Sequence, residues 1–384
     1  MKRIYADHNA TTPLEPQVLD AMMPYLRERF GNASSVHVFG RDTRAAIDDA
    51  RVRLAELLGA QESEIVFTGG GTEADNMAIF GVARAQHKKG RHIVISSIEH
   101  HAVLHACQYL EKTGECEISY LPVSRECLVD PNDLRKAIRN DTVLVSIMSA
   151  NNETGTIQPV KELAAVCRER GVTFHTDAVQ SFGKQPVNVN DWGVDLLSIA
   201  AHKFYGPKGV GALYVRRGTK VDPLLLGGSH ENERRAGTEN VAAIVGLAKA
   251  AELATAKMGE EQGRLFGLTE KLGEDIARHV SGAHRNGHPK QRIGNTINFS
   301  FEGCEEEGLL LGLDLEGVAV SSGSACAVGS LEPSHVLKAM GLPHELARAA
   351  VRFSFGRSNT AEDVDCILNA LRKVVERLRQ FARV

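Results

Sequence analysis

The chain has no run of about 18 consecutive apolar residues, no Cys-x-x-C pair and no excess of basic charge. The first absence excludes a membrane-spanning helix. The opening Met1-Lys2-Arg3-Ile4-Tyr5-Ala6-Asp7 also has no apolar signal core, so a soluble cytoplasmic protein is expected. Seven cysteines, Cys107, Cys116, Cys127, Cys167, Cys304, Cys326 and Cys366, are odd in number and widely spaced. They outline neither a disulfide framework nor a metal site, and they fit a reducing compartment. A net charge of −3 with mixed signs gives no basic stripe, so nucleic acid is not an expected partner. Internal repeats and low-complexity tracts are also missing.

What is present is 384 residues, 43% of them hydrophobic, enough for one large domain and a smaller one. Helices are predicted from Pro16 to about Phe30 and from about Arg41 to Leu58, with Gly59 as the stop. Strand-like runs follow at 64–68, 92–96, 143–149, 172–176, 196–199 and 211–215, with helical runs at 72–87 and 160–170. This alternation predicts an α/β fold with a mainly parallel sheet covered by helices on both faces. A long Ala-rich helix over 239–280 leads into a smaller α+β region with strands at 295–301 and 318–321 and a terminal amphipathic helix over 361–381. The expected division is a large domain over 16–260 and a small one built from 1–15 and 261–384.

The chemistry is concentrated in Ala200-Ala201-His202-Lys203-Phe204-Tyr205-Gly206-Pro207-Lys208-Gly209. A lysine after a histidine and ahead of Gly-Pro-Lys-Gly is a common setting for the amine that captures pyridoxal 5'-phosphate (PLP). Asp177 ends an earlier apolar strand, where a carboxylate can keep a pyridine nitrogen protonated, and Gln180 adds a second contact to a ring. Read alone, Lys203 is more often a surface lysine, and Asp177 could simply be a strand-end cap. Gly69-Gly70-Gly71-Thr72 follows a strand and opens a helix, so bare N–H groups can meet a phosphate while Thr72 caps the helix. The plain alternative is a tight turn with Thr72 and Asp75 as a capping pair. His100 lies just past another strand end, placed to stack on a ring and move protons. Asn151-Asn152-Glu153-Thr154-Gly155 brings a side-chain amide to the same sheet edge, or is an ordinary Asn-rich turn. Cys326, within Ser321-Ser322-Gly323-Ser324-Ala325-Cys326-Ala327-Val328-Gly329-Ser330, is surrounded by small residues that favour exposure of its thiol.

Taken together these motifs resemble the cysteine desulfurases of the NifS/IscS type, PLP enzymes of fold type I in the class-V aminotransferase family. Asp7-His8-Asn9-Ala10-Thr11-Thr12-Pro13, Gly31-Asn32-Ala33-Ser34-Ser35-Val36-His37 and Arg234-Arg235-Ala236-Gly237-Thr238-Glu239-Asn240 also carry the likeness, which covers nearly the whole chain. It implies an aspartate-aminotransferase-like large domain with a mainly parallel seven-stranded sheet, and a homodimer. Lys203 would hold PLP, Asp177 pair with its ring nitrogen, Gln180 contact the phenolic oxygen, and His100 stack on the ring. Gly71, Thr72, His202 and, from the second protomer, Thr238 would hold the phosphate. Asn152 and Arg352 would bind the carboxylate of L-cysteine. Cys326 would carry a persulfide, on a loop long enough to deliver sulfur to an iron–sulfur scaffold or another sulfur-acceptor protein, and L-alanine would leave. The chain departs from many relatives at Ala200, where they place a phosphate-binding serine; losing one hydroxyl donor costs on the order of 1 kcal/mol. An aminotransferase, a selenocysteine lyase and a non-catalytic binding protein on the same fold remain as alternatives.

Overall fold

The structure is a computed structural model describing residues 3–322 and 332–381; Cys326 lies outside the described residues. Strand β1 (Ile4–Tyr5) is followed by helices α1 (Pro16–Arg27) and α2 (Val38–Leu58). As predicted, α2 stops at Gly59, whose φ of 70° is left-handed and comfortable only for glycine.

The large sheet contains β2 (Ile65–Thr68), β3 (His92–Ser96), β4 (Glu117–Leu121), β5 (Thr142–Ser146), β6 (Thr173–Asp177), β7 (Leu196–Ala200) and β8 (Gly211–Val215). Their order is β2-β8-β7-β6-β5-β3-β4, and β8 alone runs against its neighbours. Helices α3 (Gly71–Ala85), α4 (His101–Lys112), α5 (Pro131–Ala137), α6 (Val160–Glu169) and α7 (Val189–Trp192) connect them. Strands β3, β5 and β7 are buried along their whole length, as expected when both faces of a sheet are covered. Alternation sends Ile93 and Ile95 to one core with Met77, Leu110 and Leu213, and Val94 to another with Leu54, Phe174 and Leu247.

Helix α8 (Val241–His279) belongs to two cores: Ala242 to Ala254 join the sheet's, while Leu265, Leu272 and Ile276 pack with Ile4, Ile297, Phe353 and Leu371. Beyond α8 come β9 (Ala283–Asn286), β10 (Thr296–Phe301), α9 (Glu306–Leu315), β11 (Val318–Ala319), α10 (His335–Ala339), α11 (His344–Ala347), β12 (Ala350–Ser354) and α12 (Ala361–Phe381). Strands β12-β10-β9 form an antiparallel sheet, and β1 pairs with β11. The beginning of the chain is thereby fixed beside its C-terminal part. Residues 7–12 run from this anchor across the ends of the large sheet, with Asp7 bridging Ser354 and Thr12 bonding His202.

A buried ion pair shapes the segment leading to Thr238. Arg51 makes two bonds to Glu231, at 2.6 and 2.8 Å, and Glu231 also accepts from Phe67 N at 2.8 Å. Glu231, Asn232 and Glu233 hold left-handed φ values of 48°, 55° and 64°, a conformation that persists for non-glycine residues only when surrounding contacts impose it. Arg51→Met strands the Glu231 carboxylate and is expected to cost about 3–5 kcal/mol. Urea unfolding checks this, and Arg51→Met combined with Glu231→Gln is expected to recover much of the loss.

Candidate active site

Strands β3, β5, β6 and β7 are parallel and end at one edge, where side chains just past each strand converge. The cavity there, about 310 Å³, is lined by Gly71, Thr72, His100, Asn152, Asp177, Gln180, Ala200, His202, Lys203 and Arg352. Among the described residues, every site residue expected from the sequence is therefore in one place except Thr238, which is exposed and outside the cavity of its own chain. Its volume sits at the lower end of the roughly 300–1,000 Å³ usual for small-molecule sites.

The turn from β2 into α3 forms one wall. Gly70 has a φ of 148°, and a Cβ on Gly71 would lie 2.8 Å from Val179 Cγ2 and 3.4 Å from Ala200 Cβ, so glycine is required at both places for different reasons. The N-terminus of α3 thereby opens on the cavity with its first N–H groups. Thr72 does not cap this helix as predicted: Gly70 occupies the cap position without a side-chain bond, and Glu73 reaches back to Gly69 N at 2.8 Å. Asp75 is buried below, not paired with Thr72 as a cap, and contacts Ser198. This geometry suits an anion, because the unpaired N–H groups and the dipole both point at the ligand.

His100 caps α4, its Nδ1 accepting from Ala102 N at 3.1 Å, which fixes the ring at the cavity wall. Burial, then the nearby charge of Lys203, pushes His100 down to about 4, so the imidazole is neutral at pH 7. Lys203 ends the short turn after β7 and donates to the carbonyls of Asn9 at 2.5 Å and Ala10 at 3.0 Å. Asp177 accepts from Val179 N at 2.8 Å; burial raises its carboxyl, while that bond and Lys203 favour the charge. Asp75 is pushed well above the usual carboxylate range by burial and by Asp177, because two buried carboxyls side by side resist carrying two charges. Arg352, on β12, donates to Asn152 O at 2.9 Å and Asp7 Oδ1 at 2.6 Å.

The sequence reading missed the residues that tie these groups together. Asn9 accepts at its carbonyl from Lys203 and from Gln180 Nε2 (3.0 Å), and donates through Nδ2 to Asn152 O (3.2 Å) and Thr296 Oγ1 (2.8 Å). The only signal was its place in the Asp7-His8-Asn9 motif, to which no role was attached. Glu99, just before His100, is fully buried and bonds Ser96 and Met148 N. Burial, partly offset by those bonds, pushes it up to about 8. The unfolded chain ionises there near pH 4–5, so the stability Glu99 contributes is complete in acid and lost as pH rises toward 8. Glu99→Gln is expected to remove about 2 kcal/mol of the decline between pH 6 and pH 8, read from urea unfolding at both values. An unchanged decline would contradict the buried neutral acid.

The class-V aminotransferase family model matches residues 4–367. A relative from Dictyoglomus turgidum named cysteine desulfurase IscS is 56% identical over 383 residues, covering 100% of this chain and 97% of its own. A protein of the same name from Methanosarcina thermophila is 52% identical, covering 99% and 94%. Among solved structures, a NifS-like protein superposes with a TM-score of 0.91 at 37% identity, covering 97% of this chain and 99% of its own. The structure titled SspA in complex with cysteine gives 0.81 at 36%, covering 92% and 98%. With a family match from one end of the fold to the other and half its residues shared with named relatives, the chain belongs to the class-V aminotransferase family and, within it, to the IscS-type cysteine desulfurases.

Proposed function

We propose that the protein is a PLP-dependent cysteine desulfurase that converts L-cysteine to L-alanine and leaves a persulfide on Cys326. The observation that carries this reading is the convergence of Lys203, Asp177, His100 and Arg352 on one cavity beneath a helix N-terminus. The fit to the cofactor rests on chemistry: an amine for its aldehyde, a buried carboxylate for its ring nitrogen, and a glycine cradle with open N–H groups for its phosphate. Lys203 would hold the aldehyde carbon, Asp177 the ring nitrogen, Gln180 the phenolic oxygen and His100 a ring face. Thr72, His202 and the N–H groups at Gly71 would hold the phosphate, joined by Thr238 of a second copy. The backbone groups of α3 offset the hydroxyl that Ala200 lacks.

When bound, PLP supplies an electron sink for charge developing at the substrate Cα. The protein's own groups do the rest. Arg352 and Asn152 orient the substrate carboxylate, a task that suits a planar guanidinium. Lys203 would take the Cα proton, and neutral His100 is placed to return a proton to the carbon that loses sulfur. The Cys326 thiolate attacks the substrate sulfur; an S–S bond forms as the C–S bond breaks, and the former substrate leaves as L-alanine. The persulfide is then open to thiol attack by an acceptor, an iron–sulfur scaffold or another sulfur-accepting protein.

A homodimer completes this reading. Thr238 is exposed, and Phe30, Val36 and Leu226 are 74%, 88% and 83% exposed, apolar side chains open to a protein partner. The active unit would combine a large domain (16–260) with a small one (1–15 and 261–384). A cytoplasmic site of action fits the unpaired cysteines among the described residues and the absence there of any helix long and apolar enough to cross a membrane. The test is incubation of PLP-loaded protein with L-cysteine. One L-alanine per sulfur transferred, with 32 Da (about one sulfur) added to the Cys326 peptide, is expected; pyruvate, or alanine formed only with a keto-acid partner, would point to an aminotransferase or lyase instead.

A further inference from the structure

A second lysine stands behind the first. Lys184 follows Gln180 by one helical turn's spacing and donates to Gln180 Oε1 at 2.7 Å and Asn9 Oδ1 at 3.2 Å. Gln180 in turn donates through Nε2 to the Asn9 carbonyl, the same oxygen that accepts from Lys203 at 2.5 Å. Asn9 and the Gln180 amide are thus held between two lysine amines. No carboxylate lies within ion-pair distance of Lys184 among the described residues, so its contacts are neutral acceptors. A partly buried ammonium without a counter-charge is costly, and a second one close by costs more.

We infer that Lys184 is a positioning residue for Lys203: it locks the Gln180 amide and the Asn9 carbonyl in place between the two amines, and it prevents both from being protonated together. The inference rests on the reading of Lys203 as the group that captures the PLP aldehyde. An amine must be unprotonated to do so, and a nearby cation is one of the ways proteins achieve this. Burial, then the charges of Lys203 and Arg352, pushes Lys184 well below the usual lysine range, so the two amines resist carrying two charges at once. The bond from Lys184 to Oε1 also fixes which end of the Gln180 amide is the donor, so Nε2 is turned toward Asn9.

The other charged and titratable groups around the pair do not replace this effect. His8, from the segment after β1, and His202, beside Lys203, are each pushed down to about 4 by burial and then by lysine charge, so they are neutral near pH 7. His100 is neutral for the same reasons. Asp177 favours protonated Lys203, and Arg352, bound to Asp7, opposes protonation of Lys184. On the far side, Tyr205 and Glu261 share with Lys184 and Lys203 a small cavity whose Arg357 pairs with Glu261 at 2.6 Å. Lys184 is therefore the lysine whose loss shifts the balance at Lys203.

The experiment follows capture of PLP by cofactor-free protein between pH 6 and pH 10, trapped with borohydride and located by peptide mass. The unsubstituted chain is expected to be labelled at Lys203. Lys184→Met is expected to move the pH midpoint of capture up by about one unit, a tenfold slower capture at pH 7. Lys184→Gln, which keeps a polar group under Asn9 should the methionine variant not fold, is expected to shift it likewise, and Lys184→Arg to restore it. Midpoints unchanged in the methionine or glutamine variant would overturn the role of Lys184 while leaving Lys203 as the capture residue. Labelling elsewhere in the unsubstituted chain would overturn the functional reading and this inference with it.

Discussion

Lys203→Ala is expected to reduce kcat/KM for L-cysteine by roughly 10⁴- to 10⁶-fold. Two tasks meet in this one amine: covalent capture of the cofactor, and removal of the Cα proton at a fixed position. Loss of a positioned base alone costs about 10²- to 10⁴-fold, and loss of the covalent link adds to it. The fold is expected to survive. Lys203 donates to two backbone carbonyls at the cavity wall, and one of them, Asn9 O, still accepts from Gln180 Nε2. The control is Lys208→Ala in the same Gly-Pro-Lys-Gly motif. Lys208 is exposed and absent from the cavity wall, so its loss is expected to change turnover only a few-fold. If the two substitutions reduce turnover equally, the cavity has been assigned the wrong lysine. Circular dichroism of both variants separates lost chemistry from lost structure.

Much of the site was legible because fully buried strands advertise themselves. His92 to Ser96 and Gly211 to Val215 were bounded as the structure has them, since buried strands read as unbroken apolar runs. Once those strands were placed, Asp177, His100 and Lys203 fell at their ends. Strand β12 was not legible as a strand, because buried Arg352 interrupts Ala350-Val351-Arg352-Phe353-Ser354, and its guanidinium is satisfied by Asn152 and Asp7 from distant parts of the chain. Strand β4 is an edge with polar and exposed residues, a weak pattern by design of any sheet that must not pair further. The same distinction separates the site residues found from those missed. Lys203 and Asp177 have local signatures, whereas Asn9 and Lys184 acquire meaning only when residues 7–12 cross the sheet edge. Thr72 shows the opposite error: a good local capping signal that lost to Glu73, whose side chain reaches Gly69 N.

Cys326→Ala is expected to abolish persulfide formation and to cut L-alanine production by about 10²-fold or more, while Lys203 still captures PLP. Sulfur transfer needs a thiolate that can reach the substrate. Cys107 and Cys167 are buried in the core, and burial raises both thiols far above the usual range. Burial likewise pushes Cys116 up to about 11 and Cys127 up to about 12, and raises Cys304. Cys366 is exposed, but it sits on α12 and takes no part in the cavity wall. Cys366→Ala is therefore the matched control and is expected to leave both products unchanged. The two variants also divide the rival chemistries. An aminotransferase needs no thiol, so alanine production untouched by Cys326→Ala would exclude the persulfide route. Persulfide that moved to Cys366 in that variant would mean that this second thiol reaches the substrate sulfur and attacks it as the C–S bond breaks.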